Sequence, residues 1–179
     1  YGPFWVADGA NTLAIIDPRY YPDRTNDDAF PAKLADMEGL STFRPDMNLE
    51  GGNLMSDGAG TCVLTAAHLV RNLDQWPYQV DEILYDYFGC EKVIWLWALH
   101  GERTAHLDMF FRNASDTVVL VGEYDAAADS INAARLDANA ALLARETNTA
   151  GEPFEVRRLP MPTHTDGIWR TYANVVVVD

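Results

Sequence analysis

The segment Thr104-Ala105-His106-Leu107-Asp108-Met109-Phe110 carries an imidazole and a carboxylate two residues apart. On an extended chain successive side chains alternate faces, so His106 and Asp108 would project together while Leu107 and Met109 point the other way into a core. The shared face then places a group that moves protons near neutral pH beside one that holds cations. The same pattern also fits a half-buried strand whose polar side meets water. A second stretch, Leu49-Glu50-Gly51-Gly52-Asn53, is followed by Asp57-Gly58-Ala59-Gly60-Thr61. Paired glycines let the backbone bend sharply and pass close to another element. A carboxylate directly before such a bend, that of Glu50, can be held at a fixed angle. Taken alone, this stretch reads as a tight hairpin.

No metal or other cofactor is expected. Cys62 and Cys90 lack the CxxC or Cys/His spacing of a zinc site. Asp23, Thr25 and Asp27 begin like a calcium loop, but Asp28 stands where glycine is needed and Leu34 where the closing glutamate belongs. The two cysteines fit a reducing compartment or one disulfide equally well, and both read as buried and structural.

The elements that must position these residues are short. Phe4 to Asp8 and Thr12 to Ile16 read as strands joined by Asp8-Gly9-Ala10-Asn11, and Pro18 to Asp28 reads as a loop. A helix is predicted over Ala29 to Glu38, ended by Gly39. Another strand pair is bracketed by the glycines around Thr61 to Thr65. In Tyr78 to Phe88, Val80, Ile83, Leu84 and Tyr87 fall at helical spacing, and Gly89 stands where a C-terminal cap belongs. Strands are predicted over Lys92 to Trp97, Ala105 to Phe111 and Thr117 to Glu123. A long helix over Asp125 to Arg145 follows, then strands over Phe154 to Arg158 and Thr171 to Val178. This alternation predicts an α/β architecture of strand–strand–helix–strand units with mixed sheets, and no literal repeat is legible.

The chain has 179 residues with 27 acidic and 13 basic side chains, a formal charge of −14. Such a field repels phosphate backbones and anionic lipid, so neither nucleic acid nor membrane is expected as a partner. It also favours a cationic substrate. No apolar run approaches the length that crosses a bilayer.

Four motifs in order resemble the agmatine deiminase and bacterial peptidylarginine deiminase family of the guanidine-modifying, or pentein, superfamily. They are E-G-G-N, D-G-x-G-T, F-G-x-x-K-x-I-W-L (Phe88 to Leu96) and G-x-x-T-x-H-x-D-M-F (Gly101 to Phe110). Tyr1-Gly2-Pro3-Phe4-Trp5 resembles the tail of that family's W-x-R-D-x-G-P motif, and Arg170-Thr171-Tyr172-Ala173-Asn174 its R-x-Y-x-N strand.

The resemblance implies a pentein fold, a pseudo-fivefold α/β propeller of strand–strand–helix–strand modules, with residues 1–179 forming about half of one catalytic domain. It implies hydrolysis of a guanidinium group, in peptidyl-arginine or agmatine, to a ureido group plus ammonia through a cysteine thiouronium intermediate. By motif, His106 would be the general acid/base, Asp108 would grip the guanidinium, and Glu50 would pair with His106. Asn174 would line the site. Arg24 lies where secreted bacterial members hold a substrate's C-terminal carboxylate, although Pro22 replaces the first of their arginines; a solvated loop cation is the other reading. The family's second guanidinium-binding aspartate would precede Tyr1, and its nucleophilic cysteine would follow Asp179, so the chain is expected to be part of a longer enzyme and inactive alone. A non-catalytic binding or assembly subunit is the alternative. The E-G-G motif leans towards agmatine, the Tyr-Gly-Pro start towards peptidyl-arginine. Secreted and cytoplasmic locations, and a homo-oligomer, are all compatible with the sequence.

Overall fold

The computed structural model describes residues 2–164 and 167–175. Within them the chain repeats one supersecondary unit three times. A short antiparallel hairpin leads through helix to a strand that returns parallel to the hairpin's second strand, which therefore lies central. In the first unit, β1 (Phe4–Ala7) pairs with β2 (Leu13–Ile16), α1 (Thr25–Asp28) and α2 (Phe30–Glu38) cross over, and β3 (Ser41–Phe43) pairs with β2. The second unit comprises β4 (Leu54–Ser56), β5 (Thr61–Thr65), α3 (Ala67–Arg71), α4 (Pro77–Phe88) and β6 (Lys92–Leu96). The third comprises β7 (Phe111–Asn113), β8 (Val118–Glu123), α5 (Ser130–Leu143) and β9 (Glu155–Pro160). A parallel return needs a crossover long enough to span the sheet, which is why a helix sits in each unit.

Two of the three hairpins share a turn chemistry. Asp8 Oδ1 accepts from the backbone nitrogens of Ala10 and Thr12, and Asp57 Oδ1 accepts from those of Ala59 and Thr61. Asp8-Gly9-Ala10-Asn11-Thr12 and Asp57-Gly58-Ala59-Gly60-Thr61 are thus one turn used twice, a repeat that the sequence reading missed. Gly39 and Gly89 close α2 and α4 in the left-handed conformation (φ 68° and 67°), as their positions predicted.

β5 is buried along its whole length. Val63 faces a core with Ile94, Leu107, Phe110, Phe111, Val121 and Leu136; Cys62 and Leu64 face a second core with Met47, Leu49, Val80 and Leu84. Cys62 and Cys90 are joined in a disulfide, which decides between the two readings of the thiols. From α5, Asn132 and Asn139 are fully buried and each brackets a backbone unit, at His100 and at Trp97, fixing the strand exit that leads to the candidate site.

Several expectations are corrected. The predicted strand over Ala105 to Phe111 is a left-handed residue followed by a 3-10 turn over Leu107–Met109, with only Phe111–Asn113 extended. The predicted loop over Pro18 to Asp28 contains the short α1. Of the predicted strand over Thr171 to Val178, residues 171–175 are irregular and the remainder lies outside the described residues.

Candidate functional site

The loop from Gly101 to His106 has no regular structure, so its shape depends on side chains. Ala105 has φ 54°, a conformation that costs an L-residue with a Cβ of the order of 1 kcal/mol and needs outside support. The Glu102 carboxylate gives that support. It accepts from the backbone nitrogen of Thr104 at 3.0 Å, from the Thr104 hydroxyl at 2.7 Å and from the backbone nitrogen of Ala105 at 2.6 Å. On the other side, the Thr65 hydroxyl at the end of β5 lies 2.8 Å from the Ala105 carbonyl and 2.9 Å from Asn53 Oδ1, its single proton serving one at a time. Beyond His106, the fully buried Leu107, Phe110 and Phe111 pin the 3-10 turn into the core. The kink and the turn together bring His106 and Asp108 to the same side.

His106 Nδ1 lies 3.9 Å from Asp108 Oδ1, and each side chain is 16% exposed. The backbone of Gly52 forms the opposite wall. A Cβ built there would lie 2.5 Å from His106 Nδ1 and 2.6 Å from Asp108 Oδ2, so only glycine admits both groups. The two chemical stretches picked out in the sequence therefore meet.

Glu50 is 3% exposed, but its partner is Arg71, not the expected His106. Arg71 Nη1 donates to Glu50 Oε1, and Nη2 donates to the Thr104 carbonyl. Glu50 Oε2 and His106 Nε2 are buried and have no hydrogen-bond partner among the described residues. Arg71 had no motif to announce it: it ends a short helix, and its acceptors come from distant stretches of chain. Thr65 was missed for the same reason, whereas Glu102 was missed although its partners are only two and three residues away, because a loop has no periodicity to mark them.

Burial pushes the His106 imidazole down to about 4, with the Arg71 cation lowering it further, so the ring is neutral at pH 7. Burial likewise pushes the Asp108 carboxyl up to about 6, with the Glu102 carboxylate adding to the rise. A half-buried carboxylate in that state is stabilised by a cation placed against it, and a neutral imidazole alongside can accept a proton. No group of three or more His, Cys, Asp or Glu able to hold a metal ion occurs among the described residues.

Arg24 and Asn174 are the other expected site residues. Arg24 is paired with Asp27 at 2.5 Å and lies over the Tyr20 ring at 5.5 Å. Asn174 is exposed in the irregular segment 171–175. A cavity of about 470 Å³ beside α4, lined by Tyr78, Tyr85 and Trp95 among others, shares no residue with the His106 pocket. His106 and Asp108, whose pKa values are both strongly shifted, converge in the His106 pocket rather than in this cavity.

The family described as Porphyromonas-type peptidyl-arginine deiminase matches residues 11–179. The chain is similar to agmatine deiminase of Medicago truncatula, 32% identical over 158 residues, covering 85% of this chain and 42% of that protein. It is also similar to agmatine deiminase of Stutzerimonas stutzeri, 28% identical over 194 residues, covering 99% and 52%. Among solved structures it resembles the agmatine deiminase of Enterococcus faecalis, with a TM-score of 0.81, 25% identity, and coverage of 90% of this chain and 48% of that one. The chain spans about half the length of the relatives it matches.

Proposed function

Since the chain belongs to the Porphyromonas-type peptidyl-arginine deiminase family, we propose that the intact protein hydrolyses a guanidinium group, of agmatine or of a peptidyl arginine, to a ureido group and ammonia. The observation that carries this reading is the meeting of Gly52, His106 and Asp108 in one half-buried pocket. A guanidinium is a planar fork of donors that a carboxylate such as Asp108 grips through two parallel hydrogen bonds. Gly52, lacking a Cβ, lets His106 and Asp108 stand together against its backbone.

In this reading a cysteine gives its thiol proton to the neutral His106 imidazole, and the resulting thiolate attacks the guanidinium carbon. The C–N bond breaks as His106 delivers a proton to the departing ammonia, leaving a covalent thiouronium. His106, neutral again, then takes a proton from water as the water oxygen adds to the same carbon, and the thiolate leaves. The thiolate must come from a part of the intact protein outside these residues, because Cys62 and Cys90 are bonded to each other and buried at 0% and 3% exposure. Glu50 acts on His106 through Arg71, which also binds the Thr104 carbonyl of the His106 loop, and Asn174 and Arg24 are assigned to the substrate side. Residues 1–179 then form part of a pentein catalytic domain, three of whose modules are the repeats described above. Arg24 is engaged by Asp27, so a substrate carboxylate would have to displace that partner.

The test is steady-state release of ammonia and ureido product by the intact protein with agmatine and with an arginine peptide. His106→Ala should abolish both products. Retained turnover in that variant would end the proposed role, and no turnover by the wild type with either substrate would favour a non-catalytic binding subunit.

A further inference from the structure

We propose that Arg71 is a positioning residue: it ties the Glu50 carboxylate to the loop that carries His106, and so sets how readily that imidazole takes up its proton. This rests on the reading of His106 as the proton-transfer group. Arg71 itself reaches neither His106 nor Asp108 by a hydrogen bond. Its role is to hold the parts that surround them.

Three separate stretches of chain converge on the one guanidinium. Nη1 meets Glu50 and, at 3.2 Å, the Tyr21 hydroxyl, while Nη2 meets the Thr104 carbonyl two residues before His106. The Tyr21 ring also lies 5.6 Å from the guanidinium carbon, in cation–π range. The backbone that delivers Arg71 is itself fastened. Asn48 Nδ2 donates to the Arg71 carbonyl at 3.1 Å, and the Asn72 side chain brackets Asn48, accepting at 2.7 Å and donating at 3.0 Å. The end of α3 is thereby stapled to the segment leading into Glu50. The side chains of Glu50 and Arg71 are 4% and 21% exposed, so the pair is held largely away from water.

This arrangement leaves Glu50 with one oxygen engaged and the other, Oε2, buried without a partner, as is His106 Nε2. The charged groups acting on the His106 ring are the Arg71 cation and the Glu102 carboxylate, with the Asp108 carboxylate at 3.9 Å from Nδ1. The charge of Glu50 is offset by Arg71, to which it is paired. Removing the Arg71 cation leaves Glu50 as an uncompensated buried carboxylate in the same neighbourhood, and the ring's proton affinity rises. A planar fork fits the task because two of its nitrogens must reach two acceptors at fixed angles; a lysine supplies the charge but only one contact point.

The test follows the His106 ring by NMR through a pH titration of the intact protein, its signals assigned by their loss in His106→Asn. In Arg71→Gln the midpoint should rise by about one pH unit or more, the usual size of a nearby-charge effect. Arg71→Lys should titrate close to wild type, and adding Glu50→Gln to Arg71→Gln should cancel most of the rise. An unmoved midpoint in Arg71→Gln, or a double variant that titrates as high as the single one, would overturn the proposal. Should circular dichroism show Arg71→Gln unfolded, Glu50→Gln alone decides: it strands the cation beside the ring and must lower the midpoint, so a rise or no change overturns the proposal. In turnover, Arg71→Gln should reduce kcat more than it alters KM, with Arg71→Lys restoring part of the loss. The titration needs no substrate, so it stands or falls separately from guanidinium hydrolysis.

Discussion

Adding one methyl group at Gly52 tests the geometry of the pocket more sharply than removing any charged group. A Cβ there would lie 2.5 Å from His106 Nδ1, 2.6 Å from Asp108 Oδ2 and 2.9 Å from Asp108 Cγ. Ordinary contacts begin near 3.5 Å, so the imidazole and the carboxylate must each withdraw by about 1 Å. Gly52 is not in the left-handed region, so the penalty comes from crowding alone. Misplacing reacting groups by about 1 Å costs roughly a hundredfold in rate, or about 2.7 kcal/mol of transition-state stabilisation. Overpacking costs about 1–3 kcal/mol of fold stability as well. We therefore expect Gly52→Ala in the intact protein to lose about two orders of magnitude in kcat/KM for ureido product release, with a thermal midpoint lowered by a few degrees. Gly9→Ala is the control, because nothing lies within 4 Å of its added methyl. Wild-type kcat/KM in Gly52→Ala would refute the account of the pocket, whatever the melting temperature.

Other predictions concern the framework. The disulfide closes a separation of 28 residues, so Cys62→Ala/Cys90→Ala should lower unfolding free energy by about 3–4 kcal/mol; urea titrations that agree with and without the bond would contradict this. His68 is fully buried, and burial pushes its imidazole down from 6.5 to about 4. The unfolded chain therefore binds a proton that the folded chain refuses, and stability should decline as pH falls from about 6.5 to about 4, by at most about 3 kcal/mol. Comparing urea midpoints at pH 7 and pH 4.5 for wild type and His68→Gln checks this, and an equal decline in both would remove His68 as the cause. Glu102→Ala should free the two backbone nitrogens of Thr104 and Ala105, and the Thr104 hydroxyl, from their shared acceptor, costing about 1.5–3 kcal/mol in stability and lowering kcat; unchanged amide exchange at Thr104 and Ala105 would speak against that.

Most of the framework was legible from local chemistry. Asp8 and Asp57 announced their hairpins, Gly39 and Gly89 ended their helices, and apolar spacing found Val80 and Leu84 on the buried face of α4. The pairing of His106 with Asp108 was also legible, though the backbone was misread. A strand and a left-handed kink followed by a 3-10 turn both put residues two apart on one side, and what separates them is the support of Ala105 by Glu102 within the loop and by Thr65 from β5. Arg71 was illegible because its partners lie at Tyr21, Glu50 and Thr104, contacts that no local pattern encodes. Asn132 and Asn139 carry no local sign of their role in α5, and both are buried on backbone partners across the fold.

The central claim, that this pocket directs water onto a guanidinium carbon, is tested most directly by mass spectrometry of the product formed in oxygen-18 water. The intact wild type should yield a ureido product carrying the heavy oxygen, and Asp108→Ala should yield none above background. A product without the label, or equal labelled product from Asp108→Ala, would contradict the account.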